Sequence, residues 1–175
     1  MQNNDILRHT IGYMVGTTVF LLLIPYLIWQ VSLIDHVIFK TQILHNSEIS
    51  FFVAMPFFAI GVLFVIWSNL FLVSEGKGGP TDIAGITISP RSKQLVTTGP
   101  YKYTRNPMAF GTNSIYLAIA IYLNSVGCLI ATVLFFLVIV KGVVASEEQR
   151  LLKDFGDEYL EYRKKTSMII PLPPR

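Results

Sequence analysis

One cysteine, Cys128, is all the sequence holds. An internal disulfide is therefore excluded, and a thiol set inside an apolar run reads as a small buried hydrophobe. Charge is also scarce: 14% of the 175 residues are Asp, Glu, Lys or Arg, where a soluble domain carries about 25%. The net charge of +3 is too small to read as a nucleic-acid footprint. Three histidines, His9, His36 and His45, lie without ligand spacing, so no metal site is expected. Gly76-Lys77-Gly78-Gly79 is neither a dinucleotide fingerprint nor a phosphate loop, and it follows an apolar helix rather than a strand. No Ser-His-Asp arrangement is visible. The first two apolar runs, 11–31 and 49–73, hold no Asp, Glu, His, Lys or Arg. That argues against a proton-coupled transporter, which places carboxylates mid-membrane.

Apolar length is what the chain has in excess. Apolar residues make up 52% of it and the mean hydropathy is +0.53, which defines an integral membrane protein. The reading is an all-α membrane domain covering 1–175, with about four transmembrane helices. The spans are placed at 11–31, at 49–73 with a kink at Pro56, at 108–123 and at 126–145. Only Asn124 and Ser125 separate the last two, so they form a helical hairpin. The first run is longer than a signal-peptide core and no small-residue cleavage pattern follows it, so no cleavable leader is expected.

Lys and Arg set the topology. The 74–107 loop carries Lys77, Arg91, Lys93, Lys102 and Arg105; the 146–175 tail carries Arg150, Lys153, Arg163, Lys164, Lys165 and Arg175; the 32–48 connection has Lys40 alone. By the positive-inside rule the loop, the tail and both termini face the cytoplasm. The loop is rich in Gly and Pro, yet Ile83, Ile86, Ile88, Leu95, Val96, Tyr101 and Tyr103 argue that it is ordered. In the tail, Leu151, Leu152, Phe155, Tyr159 and Tyr162 recur at helical spacing. They predict a cytoplasmic extension of the last span, ending near Phe155-Gly156, then an interfacial helix. Met168–Pro174 is an apolar end expected to pack back on the membrane face.

Three polar features stand out. Gly99-Pro100 and Arg105-Asn106-Pro107 bracket a turn whose amides and tyrosine hydroxyls can hold an amino-acid carboxylate and a ribose. Glu147 and Glu148 end the last span, where a carboxylate can meet a cofactor ammonium or favour a sulfonium. Lys141 lies one turn inside; a heptad relates it to Glu148, so the two can pair, or Lys141 can anchor an acidic substrate head.

The ordered set Leu95-Val96-x-x-Gly99-Pro100-Tyr101-x-x-x-Arg105-Asn106-Pro107-Met108, a hairpin, Glu147-Glu148-x-x-Leu151, Phe155-Gly156-x-x-Tyr159-x-x-Tyr162 and Ile170-Pro171 resembles the isoprenylcysteine carboxyl methyltransferase and phospholipid methyltransferase superfamily over about residues 75–172. The resemblance implies a small membrane methyltransferase that uses S-adenosylmethionine, releases S-adenosylhomocysteine and takes its lipophilic acceptor laterally from membrane lipids. The acceptor would be a prenylcysteine-like carboxylate, a lipid amine or a small thiol. By position, the cofactor contacts implied are Lys93, Gln94, Leu95 and Val96, then Tyr101, then Asn106, Pro107, Met108 and Ala109, and Glu147. Arg105 matches the family's arginine before the proline turn and is expected to be catalytic; by position in this sequence, Glu148 is the candidate base for a thiol or amine acceptor and Lys141 the candidate substrate contact. The chain departs from the prenylcysteine enzymes at Asn106, where they have His, and at Ala109, where they commonly have Tyr. Competing expectations are an NADPH-dependent membrane enone or sterol reductase, which shares a similar loop-and-tail design, and a non-enzymatic four-helix membrane protein.

Overall fold

The computed structural model describes residues 3–77, 82–83, 86–87 and 92–174. Gly78, Gly79, Pro80, Gly85, Ile88, Pro90 and Arg91 of the expected loop, and Arg175 of the tail, lie outside the described residues. Helices α1 (Asn3–Gly16) and α2 (Ile24–Ile38) are joined by a π-helical segment, Thr17–Leu23, into one rod. Helix α3 (Ser47–Ser74) follows, then a two-residue strand pair, β1 (Asp82–Ile83) and β2 (Ile86–Thr87). A 3-10 turn (Gly99–Lys102) leads into α4 (Pro107–Tyr122). Helix α5 (Val126–Ile139), a second π segment (Val140–Val144) and α6 (Ala145–Lys165) complete the order. Helix is thus the architecture throughout, apart from that short strand pair among the described residues.

Among the described residues, three helical stretches are long and apolar enough to cross a membrane: Thr10–Ile38, Ser47–Ser74 and Val126–Lys165. Their surfaces are largely exposed leucine, isoleucine, valine and phenylalanine, as lipid-facing helices require. The first is longer than the expected 11–31, because residues 32–38 are helix rather than loop. What holds them is Asp35, 3% exposed. Its carboxylate accepts from Thr41 Oγ1 at 2.6 Å, Ser125 Oγ at 2.5 Å and Gly127 N at 2.9 Å. A buried charge is tolerable when its lone pairs are taken up this way, and here it also sits at the positive end of α5. Asn124, at φ 50°, adds a second clamp: its amide donates to Leu44 O and accepts from Leu44 N, both at 2.8 Å. The hairpin turn and the 39–46 connection are thereby locked together at one end of the bundle.

The expected third span is α4, 16 residues long and only about 24 Å in rise. It is the most enclosed helix: Gly111, Ile115, Tyr116, Ala118, Ala120 and Ile121 are all buried. Helix α4 runs antiparallel to α3, from Phe64 against Phe110 to Phe51 against Tyr122. Beside the first of these contacts, a Cβ on Gly111 would lie 2.8 Å from Gly61 O and 2.9 Å from Val65 N. Two glycines thus let the backbones approach closely, as small residues do between membrane helices. We expect Gly111→Ala to destabilise by about 1–3 kcal/mol through overpacking. Gly142→Ala, which would meet nothing within 4 Å, should be neutral or better. Thermal melts of the two purified variants check this, and equal shifts would refute the close-contact account.

Candidate active site

The loop closes on itself before it builds anything. Lys93 N donates to Gly76 O at 2.8 Å, while Gln94 Nε2 reaches Glu75 O and Thr98 Oγ1 reaches the Glu75 carboxylate. These bonds fix residues 93–98 to the end of α3. Gly99 then turns the chain at φ +55°, a position where a Cβ would strike the Phe71 ring at 2.6 Å, so glycine is required twice over.

The C-terminal segment straps across the next stretch. Arg105 N donates to Ser167 O at 2.9 Å, Leu172 N to Tyr103 O at 3.0 Å and Asn106 Nδ2 to Met168 O at 2.9 Å. The segment Ser167–Leu172 therefore lies along Tyr103–Asn106. Arg105 is the centre of this junction. Its Nε and Nη2 donate to Glu148 Oε1 at 2.8 and 2.7 Å, and its Nη1 donates to Thr166 O at 2.6 Å and Arg163 O at 3.0 Å. Both members of the ion pair are buried, with side chains 7% and 10% exposed. Helix α6 changes direction at Gly156 (φ 52°, ψ −124°), where the expected extension was to end. The second half of α6 thereby turns back so that Tyr162 Oη can donate to Tyr101 O at 2.6 Å.

A cavity of about 490 Å³ opens between these elements, within the usual range for a small-molecule site. Its polar end is walled by Gln94, Leu95, Val96 and Tyr101, by Arg105 through Ala109, and by Glu147 and Arg150. Its deep end is apolar, with Val19, Phe20 and Ile24 from the first rod, Ile115 and Tyr116 from α4, and Phe135 and Ile139 from α5. Both π segments contribute wall, and such bulges are common at functional sites. Tyr116 Oη donates to Phe20 O at 2.8 Å, which ties the first of them to α4.

The sequence-derived residues distribute unevenly over this geometry. Every expected cofactor contact lies on the cavity wall except Lys93, whose side chain is exposed. Glu147 faces the cavity while its carboxylate receives Nε of Arg150 at 2.9 Å and also Nη2; Arg150 Nη1 reaches Asp154 at 3.0 Å. Burial first, then the charges of Glu147 and Tyr13, push the Tyr101 phenol up from its ordinary value, so it remains a hydrogen-bond donor. Glu148 is not on the wall; its carboxylate is turned to Arg105. Lys141 is exposed and off the wall, and the partner that a heptad offered it is engaged by Arg105. Sequence reasoning passed over Tyr13, Asn69 and Asn113, all wall residues. The available signal was amide side chains set in otherwise apolar helices, which are costly there without a purpose.

Among the described residues, the helices and the loop thus enclose a cavity that is polar at its loop end and apolar toward the helices. A model of the phospholipid methyltransferase family matches residues 49–158, more than half of the chain, and the chain belongs to that family. It is similar to a protein-S-isoprenylcysteine O-methyltransferase of Schizosaccharomyces pombe, 39% identical over 94 residues that cover 51% of this chain. The match spans 39% of that relative's length.

Proposed function

We propose that the chain is a membrane-embedded methyltransferase that moves a methyl group from S-adenosylmethionine to a lipophilic acceptor. The single observation that carries this reading is the continuous cavity, because a polar donor and a greasy acceptor must meet without crossing water. The wall residues fit the cofactor's chemistry. A carboxylate has about four lone-pair sites; Arg150 uses some of those on Glu147, and the rest suit an ammonium group. Tyr101 offers a phenolic donor beside it. The backbone amides at 94–96 and those of Met108 and Ala109 in the first turn of α4 can meet ribose and adenine.

When bound, the cofactor supplies a sulfonium methyl carbon, already a strong electrophile. The protein's part is to align the acceptor in line with that carbon and to keep water out. Ile115, Tyr116, Phe135 and Ile139 line the depth where an acyl or prenyl chain would lie. Arg105 and Glu148 act by holding the loop, α6 and the C-terminal strap in register. With Glu148 off the wall, an acceptor that enters protonated releases its proton to water at the polar end. With α4 taken as a fourth crossing, the Lys and Arg excess of the 74–107 loop and the 146–175 tail supports a cytoplasmic side for both termini, the loop and the cofactor end. The relative's name points to a prenylcysteine carboxylate as one acceptor class, and the family description to a phospholipid as another.

Calorimetric titration of the purified protein with S-adenosylhomocysteine, and with NADPH in parallel, tests the reading. Binding of the first alone, on the order of micromolar as is common for enzyme ligands, is the expected result. Binding of NADPH alone would move the chain to the reductases, and binding of neither by folded protein would overturn the assignment.

A further inference from the structure

Two asparagines wall the cavity from neighbouring helices, Asn69 on α3 and Asn113 on α4. Each spends its amide nitrogen on its own helix. Asn69 Nδ2 donates to Val65 O at 2.9 Å and Asn113 Nδ2 to Ala109 O at 2.8 Å, both one turn back. Flipping either amide would set oxygen against a carbonyl oxygen, so the orientation is fixed and the oxygens are what remain. Asn69 Oδ1 receives Tyr13 Oη at only 3.4 Å, longer than the 2.5–3.0 Å usual for such a bond and easily exchanged. Asn113 Oδ1 is buried and has no hydrogen-bond partner among the described residues, a state that calls for an explanation in a native fold.

Among the described residues, the cations nearby are committed. Arg105 is held by Glu148, and Arg150 by Glu147 and Asp154, while Lys93 and Lys141 are off the wall. A carboxylate entering between the two asparagines would meet their amide oxygens, with both wall guanidinia already paired. A head bearing N–H, O–H or S–H would meet acceptors that need it. We propose that Asn69 and Asn113 are specificity-determining residues whose oxygens select a donor-bearing lipophilic acceptor, an amine, thiol or hydroxyl, over a carboxylate. This rests on the methyltransferase reading and narrows its acceptor class.

The test uses the full chain in zwitterionic nanodiscs, saturated with S-adenosylhomocysteine. Dodecylamine and dodecanoate, alike in chain length, are titrated calorimetrically against the native protein, Asn113→Leu and Asn69→Leu. Partition into lipid is common to all three proteins, so differences between them report the cavity. The native protein should prefer the amine by about tenfold or more, as sites with unpaired polar groups discriminate. The leucine variants should lose most of that preference while keeping their affinity for S-adenosylhomocysteine. Equal or tighter binding of dodecanoate to the native protein would overturn the proposal, and so would an unchanged preference in both variants. Loss of S-adenosylhomocysteine affinity in both would also overturn it, since the asparagines would then serve the cofactor. Failure of the native protein to bind S-adenosylhomocysteine is a separate result that strikes the underlying reading.

Discussion

Arg105→Ala should be the most damaging single change in the chain, and the damage should be to folding before it is to chemistry. The substitution strands the Glu148 carboxylate, whose side chain is 10% exposed and whose remaining cation, Arg163, stands off at 4.0 Å. Breaking a buried ion pair from one side costs about 3–5 kcal/mol. It also removes the donors that hold Thr166 O and Arg163 O, so the strap over Tyr103–Asn106 loosens with it. We expect the yield of monodisperse protein and the melting temperature to fall together. Removing both charges tells the two costs apart. Arg105→Met with Glu148→Leu leaves no orphan, and apolar replacement of a buried pair is often near neutral. The double variant should therefore melt well above Arg105→Ala. A double variant no more stable than the single one would mean that the bonds to the strap, rather than the ion pair, carry the stability.

Much of this arrangement is legible in the chain because the signals are local. Apolar length defines the helices, Gly156 marks the turn in α6, and the order of residues from Leu95 to Ala109 marks a wall. The pairings are less legible because they join residues far apart in sequence. Glu148 finds Arg105, 43 positions away, whereas heptad spacing offered Lys141; periodicity names a shared face but cannot rank partners across the bundle. Residues 32–38 fall outside the expected span, and the groups that make Asp35 a buried cap, Thr41, Ser125 and Gly127, come mostly from the hairpin that starts α5. The shortness of α4 has the same origin. It need not present a full apolar face to lipid when α3 packs closely against it where Gly61 meets Gly111.

Glu147→Ala should weaken S-adenosylhomocysteine binding by well over tenfold, each tenfold being about 1.4 kcal/mol, and should leave the ligand-free melting temperature nearly unchanged. The asymmetry with Arg105 follows from exposure. The Glu147 side chain is 31% exposed and its ion pair with Arg150 is local, three residues along one helix, so its loss leaves Arg150 with Asp154 at 3.0 Å and costs the fold little. What is lost is a carboxylate on the cavity wall, held in place by Arg150. Glu147→Gln separates charge from shape. It keeps the length and one acceptor oxygen, so its affinity should fall between those of the native protein and Glu147→Ala if both the charge and the hydrogen bond contribute. Equal losses in the two variants would assign the effect to charge alone. An affinity unchanged in Glu147→Ala would remove Glu147 from the site and leave the 94–109 loop as its principal wall.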